Sequence, residues 1–211
     1  MIISFIAIPG SGKSTQIDRL ISSGRLGEAI PVSIPSLYDR RAFNVSQYLT
    51  EDEKTAVNEA AAESSLSRKQ GVLAPIVLDE ILFRLSLRLS DMGKNVIIDG
   101  GPRGMAQAVM FLNMLHEKDL KEYKVVELYF ERNEAEQSRD RQYTRTVNNK
   151  SLSIENAIGK IMKIPNKISV YLNDTRPGID YMKERGVRIG RFEATDTIEN
   201  IHNDITGFLL D

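Results

Sequence analysis

Near the N-terminus Pro9, Gly10, Ser11, Gly12, Lys13, Ser14 and Thr15 follow one another without a gap. Gly10 and Gly12 carry no Cβ, so the backbone can turn sharply there and bring its N–H groups close to phosphate oxygens. Lys13 can reach the outer phosphates of a nucleotide, and the Ser14 hydroxyl can ligate Mg²⁺. A second group with chemistry is Asp99, which closes the run Asn95-Val96-Ile97-Ile98-Asp99. Beside a phosphate loop, a strand-ending carboxylate is the place to hold Mg²⁺, usually through water.

These residues need a platform. Ile2 to Ile8 is an almost wholly apolar run of strand length, as expected for a strand buried on both faces. From Gln16 to Ser22, Ile17, Leu20 and Ile21 recur at helical spacing. Strand, glycine turn, Lys-Ser and helix form the context that makes the loop pattern specific, because the helix then starts at the anion. One position departs from the usual pattern, in that its first glycine is Ala7.

Further strands are expected at Pro31–Ile34, Asn95–Asp99, Lys124–Phe130 and Val187–Phe192. Between them lie helical segments at Ser36–Leu49, from Thr50 to about residue 70, and from Pro75 to Gly93. Others follow at Gly104–Glu117, Glu134–Gln142, Glu155–Leu172 with a break or bend at Pro165, Ile179–Arg185 and Thr197–Leu210. Thr50 with Glu53 reads as a capping box, and the alanine-rich helix it starts reads as solvent-exposed. Strands alternating with helices predict an α/β domain with a parallel sheet, whose ligands sit beyond the carboxyl ends of the strands.

Composition narrows the classes. The 211 residues allow one large domain with small inserts. Charges nearly cancel, 28 basic against 29 acidic, which argues against a dedicated nucleic-acid or membrane-surface binder. There is no cysteine, so disulfides and cysteine zinc sites are excluded. No apolar run approaches the roughly 18 residues that span a bilayer. A cytoplasmic protein is the expectation. His116 and His202 read as surface residues, and the seven methionines as core packing.

The run Asp99-Gly100-Gly101-Pro102-Arg103, followed by Gln107-Ala108, resembles the Asp-Gly-Phe-Pro-Arg and Gln-Ala pattern of the adenylate kinase family of nucleoside monophosphate kinases, with Gly101 in place of the phenylalanine. Ile8-Pro9-Gly10-Ser11-Gly12-Lys13-Ser14-Thr15 is similar to that family's phosphate loop. Gly71-Val72-Leu73-Ala74-Pro75 resembles its Gly-x-Leu-Val-Pro segment, where backbone approaches the base of the monophosphate.

The resemblance implies a phosphate-loop three-layer αβα fold with a five-stranded parallel sheet in a single domain. A helical insert at about 33–75 would bind the monophosphate, and a short lid at about 139–153 would close over the phosphates. It implies transfer of the γ-phosphoryl of Mg·ATP to a nucleoside monophosphate, AMP by the family's use of the matching glutamine, with ATP and AMP as small-molecule partners and a monomer in solution. By the same resemblance Arg103 holds the acceptor's α-phosphate, Gln107 reads the base, and Val72, Ala74 and Gly100 line the acceptor site. Arg40 and Arg41 both stand near a further acceptor arginine, with the register one off; Arg40 is the choice. In the lid, Arg141 and Arg145 match a family spacing, Asn148-Asn149 stands where the family has two aspartates, and Lys160 is the candidate to replace a lid arginine. Two alternatives stay open: a nucleotide-binding sensor without turnover, motivated by Ala7, Gly101 and Asn148-Asn149, and a kinase of another small acceptor. A GTPase is disfavoured, since Asn166-Lys167-Ile168-Ser169 ends in the wrong residue for a guanine-reading segment.

Overall fold

The computed structural model describes residues 1–38, 45–70, 73–120 and 122–211, with the backbone alone for residues 62 and 64–70. Strands β1 (Ile2–Ala7), β2 (Ala29–Val32), β3 (Asn95–Asp99), β4 (Tyr123–Tyr129) and β5 (Arg188–Glu193) pair in parallel in the order β2-β3-β1-β4-β5. Parallel neighbours need long crossovers, and helices supply them: α1 (Lys13–Ser23), α2 (Ile34–Tyr38), α3 (Glu51–Gln70), α4 (Ile76–Asp91) and α5 (Met105–Glu117). Later come α6 (Glu134–Val147), α7 (Ile154–Ile161), α8 (Ile164–Val170), a π-helical turn at Tyr171–Thr175, α9 (Arg176–Glu184) and α10 (Ile198–Leu210).

The centre of the sheet is buried on both faces because β1 and β3 are apolar at odd and even positions alike, whereas the edge strand β5 carries Arg188, Arg191 and Glu193. Ile2, Ile6, Val96 and Ile98 pack with Leu82, Phe83 and Leu85 of α4 and Phe111 of α5. Ile3, Phe5, Ile97, Val126 and Leu128 point the other way, onto Ile17 and Leu20 of α1 and Ile201, Ile205 and Leu209 of α10. On the first face the Phe83 and Phe111 rings stack with centroids 4.2 Å apart, and Tyr123 meets Phe111 edge-on. β1 lies between β3 and β4, so the chain crosses in opposite directions from it. That switch point is where open α/β sheets bind ligands. Register pairs Phe5 with Asp99, and the Gly100 N–H donates to the Phe5 carbonyl at 2.9 Å. The end of β3 therefore stands beside the loop that leaves β1.

Several expectations change. β2 begins two residues earlier, at Ala29. The helix expected over Ser36–Leu49 is instead the short α2 and a 3₁₀ turn at Ser46–Tyr48, with residues 39–44 outside the described residues. The capping box forms, the Thr50 N–H donating to Glu53 Oε2 at 2.8 Å and the Glu53 N–H to Thr50 Oγ1 at 3.2 Å. The helix it opens is not simply solvated: Val57 and Ala60 are buried, and Glu53 pairs with Arg88 of α4 at 2.6 Å. α6 runs on to Val147, past the expected end at Gln142. His202 is buried, not a surface residue, because α10 lays that face on α1; burial and nearby Arg19 hold its imidazole below the usual range. Met92, Met105 and Met162 are exposed, so packing accounts for Met182 but not for them.

Candidate active site

At the loop after β1 the sequence builds an anion cradle. Gly10 has φ +90°, which side chains rarely tolerate. A Cβ there would also lie 3.1 Å from the Ser138 carbonyl and 3.3 Å from Gln142 Cγ, both on α6. The helix is held this close by the Ser138 hydroxyl, which donates to the Pro9 carbonyl at 2.5 Å. α1 begins at Lys13 with Gly12 as its N-cap, and no side chain caps it among the described residues. Its first N–H groups are therefore free for an anion.

Lys13 Nζ forms an ion pair with Asp99 Oδ1. It lies over Gly100, whose φ is +89° and where a Cβ would approach the ammonium to 3.2 Å. Burial and the neighbouring Arg103 guanidinium push the Lys13 ammonium down to about 7, while the ion pair works the other way.

Pro9 to Thr15, Asp99, Gly100 and Arg103 line one cavity of about 450 Å³, within the usual range for small-molecule sites. From α6 it receives Arg145, and from α8 Lys167. Ser33, Ile34, Pro35, Tyr38, Leu73 and Ala74 close the far wall. Arg40 and Val72 lie outside the described residues.

Not every expected residue reaches the cavity. Arg141 is off its wall: Nη1 donates to the Ala194 carbonyl at 2.8 Å and the guanidinium stacks over the Phe130 ring at 4.9 Å, tying α6 to the end of β5. Lys160 is likewise absent from the wall, and Lys167 is the lysine that faces it. Burial, with Lys163, Arg145 and Lys160 nearby, holds the Lys167 ammonium below its usual value. Gln107 is buried beside the cavity, outside its lining. Its Oε1 accepts the Arg103 N–H at 2.5 Å, and its Nε2 donates to Asp79 Oδ2 at 2.6 Å. In this geometry its amide holds Arg103 and turns no free end to the cavity.

Thr175 Oγ1 donates to the Arg103 carbonyl at 2.8 Å, so the Arg103 peptide is gripped on both sides. Tyr171, also on the wall, donates through its hydroxyl to buried Glu127 of β4 at 2.7 Å; Arg191 donates to the same carboxylate at 2.6 Å. Tyr171, Thr175 and Asp79 have no role in the sequence expectations, and Lys167 enters them only in the disfavoured guanine-reading segment. A signal for Lys167 was present: Lys160, Lys163 and Lys167 fall three and four apart, a basic stripe on one helix face. Four cations, Lys13, Arg103, Arg145 and Lys167, thus meet at one cavity from four segments, which concentrates positive potential where phosphates would lie.

No family model matches the chain. Curated relatives do. The chain is 28% identical over 193 residues to the adenylate kinase of Corynebacterium urealyticum, covering 92% of this chain and 90% of that protein. It is 25% identical over 209 residues to the adenylate kinase of Rhizobium meliloti, covering 96% and 94%. It is also 25% identical over 195 residues to adenylate kinase isoenzyme 1 of Caenorhabditis elegans, covering 92% and 80%. Unrelated nucleotide-binding proteins share a phosphate loop, but these similarities run along more than nine tenths of the chain and through the five-stranded parallel sheet. On that extent the chain is similar to adenylate kinases along nearly its whole length.

Proposed function

We propose that this phosphotransferase is a nucleoside monophosphate kinase that moves the γ-phosphoryl of Mg·ATP to AMP, yielding two ADP. The observation that carries the reading is the meeting of Lys13, Arg103, Arg145 and Lys167 at one cavity whose floor is the phosphate loop. Phosphoryl transfer asks for positioning and charge stabilisation rather than a strong base, and that set of groups supplies both.

The loop N–H groups from Gly10 to Thr15, with Lys13, would bind the ATP phosphates. Arg103 would take the acceptor's α-phosphate with its planar fork. Arg145 and Lys167 would grip the phosphoryl in flight. Gln107 would serve the acceptor as the strut beneath Arg103, and the base would lie against Leu73 and Ala74, with Val72 and Arg40 assigned to the same site by the family resemblance. Arg141 would join the phosphoryl grip only by leaving the Ala194 carbonyl. Ser14 and Asp99 both stand on the cavity wall and offer hard oxygens, which fits Mg²⁺ completed by phosphate oxygens and water. When bound, the ion neutralises charge between the β- and γ-phosphates. Residues at about 33–75 would form the acceptor-binding insert, and those at about 139–153 the lid that excludes water. Among the described residues no helix is long and apolar enough to cross a membrane. A cytoplasmic monomer without nucleic-acid or membrane partners completes the proposal.

The test is ADP formation from Mg·ATP with AMP, CMP, UMP, GMP and dTMP at equal concentrations. Preference for AMP supports the reading. Preference for another monophosphate keeps the reaction and corrects the acceptor. No turnover with any of the five, alongside ATP binding, overturns the nucleoside monophosphate kinase reading in favour of a sensor or a kinase of another small acceptor.

A further inference from the structure

We propose that Asp79 is a positioning residue for the acceptor's phosphate: through Gln107 it fixes the peptide of Arg103, and so the place of its guanidinium at the cavity wall. The proposal rests on the reading of Arg103 as the acceptor's ligand.

Asp79 is an outlier in its own helix. It is fully buried on α4 among Leu78, Ile81, Leu82 and Phe83, where the amphipathic pattern calls for an apolar side chain. A carboxyl group there carries a desolvation cost that only good hydrogen bonding offsets. Its Oδ2 accepts from Gln107 Nε2 at 2.6 Å, and Gln107 Oε1 accepts from the Arg103 N–H at 2.5 Å. From the other side Thr175 Oγ1 donates to the Arg103 carbonyl at 2.8 Å. Arg103 lies in the turn between β3 and α5, which has little regular backbone bonding of its own to hold it. The chain from α4 through α5 to this turn supplies that constraint.

The geometry also orients Gln107. An amide alone can present either end in either direction. Asp79 Oδ2, accepting at Nε2, leaves Oε1 facing the Arg103 N–H, and the other carboxyl oxygen can carry a proton without breaking that bond. A leucine at residue 79 would pack equally well against α5 but would free the amide to turn. Asp79 is also close enough to the Arg103 guanidinium for the two to interact electrostatically, so the carboxyl complements the arginine it positions.

The experiment is steady-state kinetics of the full chain with Mg·ATP and its best monophosphate, comparing Asp79→Leu, Asp79→Asn, Gln107→Met, Arg103→Ala and the Asp79→Leu/Arg103→Ala double variant. Displacing a binding group by a fraction of an ångström costs about tenfold or more. Asp79→Leu is expected to raise the acceptor KM about tenfold while the ATP KM stays within about twofold. Asp79→Asn still offers an acceptor oxygen to Gln107 Nε2 and should recover most of the loss. Adding Asp79→Leu to Arg103→Ala should cost nothing further, because the two act as one unit.

An unchanged acceptor KM in folded Asp79→Leu overturns the proposal. So does an effect that multiplies on Arg103→Ala, as a merely structural role would give. Gln107→Met cuts the same chain one link later and should show the same acceptor-specific loss, so a misfolded Asp79→Leu leaves the proposal open to refutation. If Arg103→Ala weakens both substrates equally, the underlying reading of Arg103 fails. If Arg103→Ala is acceptor-specific and the residue 79 and 107 variants are inert, only the role of Asp79 falls.

Discussion

Lys13 is the residue on which the proposed chemistry depends most directly. It stands between Asp99 and the loop that would hold the ATP phosphates, half-buried, so that less water shares its charge. Lys13→Ala should lower kcat by about 10²–10³-fold, the usual cost of one preorganised electrostatic group, with a far-ultraviolet circular dichroism spectrum like the parent's. Asp79 gives a prediction with a definite sign. An ordinary aspartate titrates near 3.8, and burial pushes this one up to about 7, with Arg103 opposing. Between those values the folded chain keeps a proton that the unfolded chain has lost, so this group's contribution to stability falls as pH rises through the window. Asp79→Asn has no such slope. Its stability relative to the parent should therefore improve by about 1–3 kcal/mol from pH 4.5 to pH 7.5, as urea unfolding at both values would measure. A constant difference would show that the carboxyl titrates as it does in water.

Among the elements, the loop after β1 is held by its neighbour α6 as much as by its own glycines. Gly10→Ala combines a left-handed φ with a Cβ 3.1 Å from a backbone carbonyl that cannot swing aside. About 1–3 kcal/mol of stability should be lost, together with most ATP affinity; calorimetry on both properties would test it, and intact affinity would mean that the loop relaxes without α6. Thr50→Ala, by contrast, should cost about 1 kcal/mol and leave both KM values unchanged, since neither Thr50 nor Glu53 of the capping box lines the cavity. α6 shows how one helix serves two ends. Arg145 reaches the cavity, whereas Arg141, one turn earlier, anchors on Ala194 and Phe130.

For the molecule as a whole, ligand binding and stability are linked. A nucleotide that fills the cavity binds the folded chain alone. Mg·ATP at about 100 times its dissociation constant should add about 2.7 kcal/mol, a rise in Tm of about 5–10 °C for a chain of this size. Lys13→Ala should remove most of that rise. A parent protein whose Tm ignores Mg·ATP would contradict nucleotide binding itself, not merely turnover. The architecture makes such coupling direct, because the loop, β3 and the turn to α5 all leave the sheet at its switch point.

By itself the sequence determined what depends on near neighbours in the chain. The strand–glycine loop–Lys-Ser–helix context, the doubly apolar strands and the Thr50–Glu53 box are local patterns, and each has the form its residues predict. The resemblance through Asp99 to Ala108 likewise pointed to the proteins the chain is similar to over more than nine tenths of its length. Only the tertiary structure decided which polar groups face one another across elements. The spacing marks a basic stripe from Lys160 to Lys167, but that Lys167 of α8 rather than Lys160 of α7 meets the cavity depends on where each helix lies against the sheet. His202 is buried because α10 happens to lay that face on α1. Asp79 and Gln107 lie 28 residues apart on α4 and α5. Their bond exists only because the apolar stripes of those two helices pack together, and no local pattern in either segment records it.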